Sequence, residues 1–349
     1  MVSFVTALLL LLLGYIFYGG IAEKIFAPDN RKTPALAMND GVDFVPMPQG
    51  KLFLVQLLNI AGTGPIFGAL MGAVFGPVVF LWIVLGSVLC GAVHDYLIGM
   101  ISSRKGGASI AELSGLYLGK KAKYAMRFFS VLLLILVGAV FVTSPAALLA
   151  QLSPKMLGTS FWTVAILVYY VLATLMPVDK IIGRMYPFFG ITLIVMAIAI
   201  IGGVLAGDYS IPEISAVNMH PAKLPVWPYM FVTVACGAIS GFHATQSPIV
   251  AKCITSEKQG KSVFYGAMIT EAVIALIWAA AGCAYYKSSD ALYAALAGIG
   301  QSGVVYDISK GLLGKAGGVL AIVGVVACPI TSGDTAFRGA RIILAECTG

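Results

Sequence analysis

Leu57-Leu58-Asn59-Ile60-Ala61-Gly62-Thr63-Gly64-Pro65-Ile66-Phe67-Gly68 is the stretch that decides how the rest of the chain is read. With its flanks it forms an apolar run over 52–74, and about 20 apolar residues suffice to cross a bilayer as a helix. Its middle nevertheless carries Asn59, Gly62, Thr63, Gly64 and Pro65. Glycine and proline release backbone groups from the helix ladder, and in lipid those groups must find other partners. A break of this kind is tolerated where it lines a polar cavity. The alternative is a packing kink, because both residues are frequent in membrane helices. The run Ala235-Cys-Gly-Ala-Ile-Ser-Gly-Phe-His-Ala-Thr-Gln-Ser-Pro248 repeats the pattern.

Outward from these two stretches the chain is apolar throughout. Of its 349 residues 59% are hydrophobic and 11% charged, with a mean hydropathy of +0.95. A soluble domain carries about 25% charged residues. Nine spans are expected, at 2–20, 52–74, 77–101, 125–150, 160–177, 183–206, 226–252, 262–286 and 317–340. The first has no basic residue before it and no cleavage site after it, so it reads as a retained helix rather than a signal peptide. Alternating the connections between two sides puts 17 of the 22 basic residues on one side. Lys155, Lys223, Lys287, Lys310 and Lys315 fall on the other. The basic side is cytoplasmic by the positive-inside rule, and the N-terminus is outside. The net charge of +7 therefore reports membrane orientation, not nucleic-acid binding.

The interrupted spans are the second and the seventh, and each is followed by an unbroken span bearing a central acid, Asp95 or Glu271. An offset of five reverses the topology, so the two halves are inverted. Interrupted helices at matching positions of inverted halves point to a transporter site at mid-membrane. The expected organisation is an extra helix at 1–20, a cytoplasmic loop at 21–51, a first five-helix repeat at 52–206, an outside linker at 207–225 and an incomplete second repeat at 226–349. Two helices of that second repeat are absent from the chain, which therefore reads as a fragment. Residues 288–315 read as an outside loop with two short helical stretches, either a lid or a passive surface.

A charge at the bilayer centre costs about 2.5–3.5 kcal/mol even on the lenient insertion scale. Asp95, Glu271, Asp334 and the neighbouring His94 are therefore candidates for ion coupling. For Asp95 and Glu271 the structural alternative is capping of the broken helices. For Asp334 it is a pair with Arg338 four residues on. His94 and His243 also read as satisfied buried histidines. Asn59, Gly62, Thr63, Gly64, Ser240, Gly241 and His243 are the candidate substrate-binding residues. Half-helix N-termini at the breaks suit a carboxylate or phosphate, and freed carbonyls suit a cation.

Six cysteines include no CxxC pair and read as packing residues. No HExxH, no nucleophile–base arrangement and no GxxxxGK[ST] motif is present. No metal, no cofactor and no enzymatic activity is expected. A channel is the second reading, but paired breaks are not the ring of pore-lining segments that channels use. An intramembrane enzyme built on His94, Asp95 and His243 is the third.

Several longer motifs occur in order: Gly41-Val-Asp-Phe-Val-Pro46, Ile60-Ala-Gly-Thr-Gly-Pro65, Gly91-Ala-Val-His-Asp-Tyr96, Arg104-Lys-Gly-Gly-Ala-Ser-Ile-Ala-Glu112, Cys236-Gly-Ala-Ile-Ser-Gly-Phe-His243 and Ser332-Gly-Asp-Thr-Ala-Phe-Arg-Gly-Ala-Arg341. Together they resemble the carbon starvation protein A family from about residue 10 to the C-terminus. The resemblance implies an all-α polytopic inner-membrane transporter of bacteria, induced in starvation, that takes up peptide or pyruvate, some members with protons. It also implies the five-plus-five inverted repeat of the amino acid–polyamine–organocation (LeuT-like) group. The family normally continues beyond the equivalent of Arg341, so this chain resembles a short-form member lacking the C-terminal helices. The partners implied are a peptide or pyruvate-like solute, protons or another cation, and the lipid bilayer.

Overall fold

The computed structural model describes residues 1–153, 157–175, 178–215 and 217–348. All regular elements among them are helical. Helix α1 runs over Val2–Phe26, and the broken second span comprises α2 (Gln49–Ile60) and α3 (Gly64–Ala73). Then come α4 (Val79–Arg104), α5 (Ile110–Leu118), α6 (Lys120–Leu152), α7 (Thr159–Leu175) and α8 (Val178–Ala206). The second broken span comprises short turns at Val226–Met230 and Phe231–Thr233, then α9 (Ala235–Ala238) and α10 (His243–Ala251). Helix α11 is Glu257–Tyr286 and α12 is Ser289–Thr348.

Among the described residues five helices are long and apolar enough to cross a membrane, or six if the bent α2–α3 pair is one span. They differ in burial: 83% of the apolar window of α11 is buried, but only 22% of that of α1. Helix α11 is thus the post around which the others pack, and α1 lies at the periphery. Peripheral apolar side chains such as Leu12, Phe128, Val171 and Ile198 are more than half exposed. Water would penalise that surface at about 25 cal/mol per Å², whereas a bilayer does not. The chain is a polytopic α-helical membrane protein.

The first break follows from its residues. Helix α2 stops at Ala61, and the Gly62 amide turns back to the Ile60 carbonyl at 2.9 Å. Pro65 has no N–H to continue the ladder, and its ring would strike the carbonyl four residues back. It suits the first turn of a new helix, and α3 leaves at 57° to α2. In the second span the break is narrower than the sequence motif. Ile239 is extended (φ −158, ψ 126), and Ser240 Oγ accepts from the Phe242 amide at 3.2 Å. Pro248 does not break the chain; it lies inside α10.

Residues 289–299 and 301–313 form the two short helical stretches expected within 288–315, set off from each other and from the last span where the chain leaves helical geometry at Gly300 (φ +70) and Gly314 (φ +62). These conformations cost glycine little. The 21–51 connection is an ordered strap. The Asp40 carboxylate accepts from the amides of Val42, Asp43 and Phe44 at 2.8–2.9 Å, and the Met47 amide donates to the Cys253 carbonyl at 3.1 Å. The strap is thereby tied to the end of α10. Among the basic residues used for orientation, Lys155 and the side chains of Lys180 and Arg184 lie outside the described residues, as does the side chain of Cys347.

Candidate functional site: a cavity between two broken helices

The two breaks face each other. A Cβ on Gly64 would stand 2.2 Å from Cys236 Cβ, and one on Gly62 would stand 2.7 Å from the Phe141 ring. Only hydrogen fits at these positions, so α3 approaches α9 at backbone distance, as small residues permit in membrane bundles. Between the breaks and one side of α6 lies a cavity of about 330 Å³. Gly62, Thr63, Gly64, Ser240 and Gly241 are in its wall, together with Cys236, Phe141 and Phe242. The two phenyl rings meet edge to face at 5.7 Å. Asn59 and His243, expected with this group, are not in the wall.

His243 instead joins a buried string of ionisable groups. Asp95 Oδ1 lies 2.9 Å from His94 Nδ1, and Asp95 Oδ2 lies 3.0 Å from His243 Nδ1. His243 Nε2 lies 3.5 Å from Glu271 Oε2. Asp95, His243 and Glu271 are fully buried, while His94 is 30% exposed. The string ties α4 to the first residue of α10 and to the central helix α11. An ionised Asp95 accepts from both imidazoles. With its Nδ1 proton so engaged, His243 presents Nε2 to Glu271, and one proton suffices for that pair. Either the imidazole is neutral and Glu271 holds the proton, or the imidazole is cationic and Glu271 is ionised. At 3.5 Å the two are close but not hydrogen-bonded, since His243 Nε2 and both Glu271 oxygens have no hydrogen-bond partner, so passage of a proton needs them to close to about 2.6–3.2 Å.

Buried polar atoms with no hydrogen-bond partner occur within the string, at His243 Nε2, and on α2, α10 and α11. Both side-chain atoms of Asn59, Oε1 of Gln56 and of Gln246, and both oxygens of Glu271 are buried without one. A buried polar atom left unpaired costs about 1–3 kcal/mol. The seam between α2 and α10 is therefore polar where a passive core would be apolar.

Asp334 stands apart. It accepts from Tyr186 Oη at 3.0 Å, and no described bond connects it to the string. The expected pair with Arg338 is replaced: Arg338 bonds Asp43 at 3.3 Å and the Ala173 carbonyl at 3.0 Å. Helical spacing allows the i,i+4 pair, but Arg338 is directed at the strap instead. Sequence reasoning also passed over Glu257, a buried acid that receives Arg104 through two bonds of 2.8–2.9 Å and the Asp29 amide at 2.9 Å. The available signal was an acid in a connection rich in lysine. The five described cysteines are free, and no metal-binding group of His, Cys, Asp or Glu occurs among the described residues.

This geometry can be set beside known proteins. The carbon starvation protein CstA family matches residues 1–161 and 152–302. An uncharacterized membrane protein of Haemophilus influenzae is 42% identical over 85% of this chain and 94% of its own length. The peptide transporter CstA of Campylobacter jejuni is 30% identical over 80% of this chain and 49% of its own. The pyruvate/proton symporter BtsT of Escherichia coli is 28% identical over 76% of this chain and 46% of its own. The chain thus spans about half the length of these two transporters. It belongs to the carbon starvation protein CstA family.

Proposed function

We propose that the chain is a secondary transporter of a small carboxylate-bearing solute, a short peptide or pyruvate, in a bacterial plasma membrane. The observation that carries the reading is the cavity walled by both breaks. Its volume of about 330 Å³ is in the range of small-molecule sites. The first-turn N–H groups of α3 and α10 have no partner within their own helices. Their positive dipole ends suit a carboxylate. The relatives' names point the same way: one is a peptide transporter and another a pyruvate/proton symporter.

The substrate-binding assignment is Gly62, Thr63, Gly64, Ser240 and Gly241, with Asn59 and His243 behind the wall. The coupling assignment is Asp95, His94 and Glu271, with Asp334 a separate group. Protons are the coupling ion favoured by the His243–Glu271 contact. In this reading the chain crosses the membrane nine times, N-terminus outside. It carries an extra first helix, a five-helix repeat at 52–206 and part of an inverted second repeat from 226, on the LeuT-like plan. Two spans broken at matching positions support that plan, as does the excess of lysine and arginine on one side.

Uptake of labelled pyruvate and of a labelled dipeptide by cells expressing the chain, with and without an uncoupler, tests the proposal. Saturable uptake of either that collapses with the uncoupler is expected. Uptake that is linear with concentration and indifferent to the uncoupler would favour a channel and overturn it.

A further inference from the structure

A second cavity, of about 340 Å³, adjoins the first. Thr233 lies in the walls of both. Three segments remote in sequence meet there: the residues after α3, the 207–225 linker and the start of α12. The His220 ring stands 4.5 Å from the Phe75 ring and 5.4 Å from the Tyr293 ring. The linker is held in place by the Met219 amide, which donates to the Phe75 carbonyl at 3.3 Å.

Neither chamber has an Asp, Glu, Lys or Arg in its wall, but the second contains none of the unwound residues or helix starts of the two breaks that edge the first. The second chamber's one ionisable base is His220, 5% exposed, whose Nδ1 accepts from the Ala222 amide at 3.2 Å. That bond fixes the neutral tautomer with the proton on Nε2. The other walls are Phe75, Tyr229 and Tyr293, with Met71 and Leu296. The chamber opens to the surface past Tyr229, Tyr293 and Gln301, which are exposed, and its wall offers a carboxylate or ammonium no opposite charge. An aromatic or branched apolar group would meet ring faces and edges at favourable distances.

We infer that the chamber around Phe75, His220 and Tyr293 is a side-chain subsite, taking the bulky apolar side chain of a short peptide whose backbone occupies the cavity between the breaks. This rests on the transport reading and narrows it. Pyruvate has a carboxylate but nothing to fill the chamber; a dipeptide such as Ala-Phe has both parts.

The test uses the full chain in proteoliposomes, with uptake of labelled Ala-Phe competed by unlabelled Ala-Phe, Ala-Ala or pyruvate. Burial of a phenyl ring predicts that Ala-Phe competes at a concentration about tenfold or more below Ala-Ala. Leu296→Trp fills the chamber and should remove that advantage while leaving Ala-Ala competition within about twofold of wild type. Leu296→Ala, which enlarges the chamber, should keep an advantage for Ala-Phe over Ala-Ala and so controls for misfolding of the tryptophan variant. Equal competition by the two dipeptides in wild type overturns the subsite, as does an equal weakening of both in Leu296→Trp. Absence of saturable uptake of dipeptide and pyruvate by wild type would instead overturn the transport reading beneath it.

Discussion

Asp43 and Arg338, 295 residues apart in sequence, meet at 3.3 Å. The arginine is fully buried and the aspartate largely so. Arg341 reaches the same carboxylate at 3.3 Å. Cys253 Sγ points to the Asp43 carbonyl at 3.7 Å, and Lys252 lies 5.0 Å over the Phe44 ring. The Gly41-Val-Asp-Phe-Val-Pro46 motif thereby bridges the end of α10 and the second half of α12. Removing the carboxylate takes an acidic partner from a buried guanidinium. Asp43→Ala is expected to destabilise the protein by about 2–3 kcal/mol, read as a lower melting temperature in detergent. Asp43→Glu, which keeps the charge, should recover most of the loss. Equal melting of wild type and Asp43→Ala would show that the pair contributes nothing.

The Gly64–Cys236 approach makes a compensation prediction. Even one methyl group on Gly64 would collide with Cys236 Cβ at 2.2 Å. Overpacking of this kind costs about 1–3 kcal/mol and shifts backbone, here in the wall of the cavity. Gly64→Ala should lower uptake by about tenfold or more while the protein still inserts, and Gly64→Leu should abolish uptake. Cys236→Gly removes the atom that is struck and should restore uptake to Gly64→Ala. The double-mutant cycle should show a coupling of at least about 1 kcal/mol. Additive losses would mean that the breaks are not in contact in the working protein.

Burial holds the pKa of His220 below the usual histidine value. Between the folded and unfolded values the unfolded segment binds more protons than the folded one. Stability of the linker packing therefore falls as pH drops through about 6.5, the ordinary histidine pKa, down to the folded value, and it is flat above. The proton added at Nδ1 would also face the Ala222 N–H. Hydrogen exchange over 217–225, corrected for intrinsic rates, should quicken from pH 7.5 to pH 5 in wild type. His220→Gln should flatten the dependence. A wild-type segment equally protected at both pH values would contradict this account.

The two breaks could be read from sequence because glycine and proline act locally: 61–63 and 239–242 are unwound where apolar runs are interrupted. The apolar fraction likewise announced a membrane protein, since nothing else stabilises so much exposed aliphatic surface. What local pattern could not show is which polar groups converge. Asp95 and His243 are 148 residues apart, and nothing in either motif names the other. Asn59 looked like a cavity residue from its place beside Gly62, yet one helical turn carries it into the seam with Gln56. Arg338 illustrates the opposite error. A local rule offered it Asp334, but Asp43 on the strap received it, and Tyr186 took Asp334. Long-range ion pairs of this sort are fixed by how helices cross, which periodicity does not encode.

The last prediction concerns the buried string itself. Asp95 is held between two imidazoles at 2.9 and 3.0 Å, and the Nε2 of His243 lies 3.5 Å from Glu271 Oε2. Asp95→Asn keeps the shape but removes the charge that orients His243. If the string moves a proton with each solute, the variant should still exchange labelled for unlabelled solute across a proteoliposome membrane. It should fail to concentrate that solute when a pH gradient is imposed, with accumulation falling by about tenfold or more. Glu271→Gln should behave the same way, since it interrupts the other end of the pair. A brace behaves differently: if Asp95 only holds α10 against α4, Asp95→Asn should lose exchange and accumulation together and melt at a lower temperature. The decisive measurement is therefore the ratio of accumulation to exchange. A ratio unchanged from wild type in both variants would remove Asp95 and Glu271 from the coupling pathway.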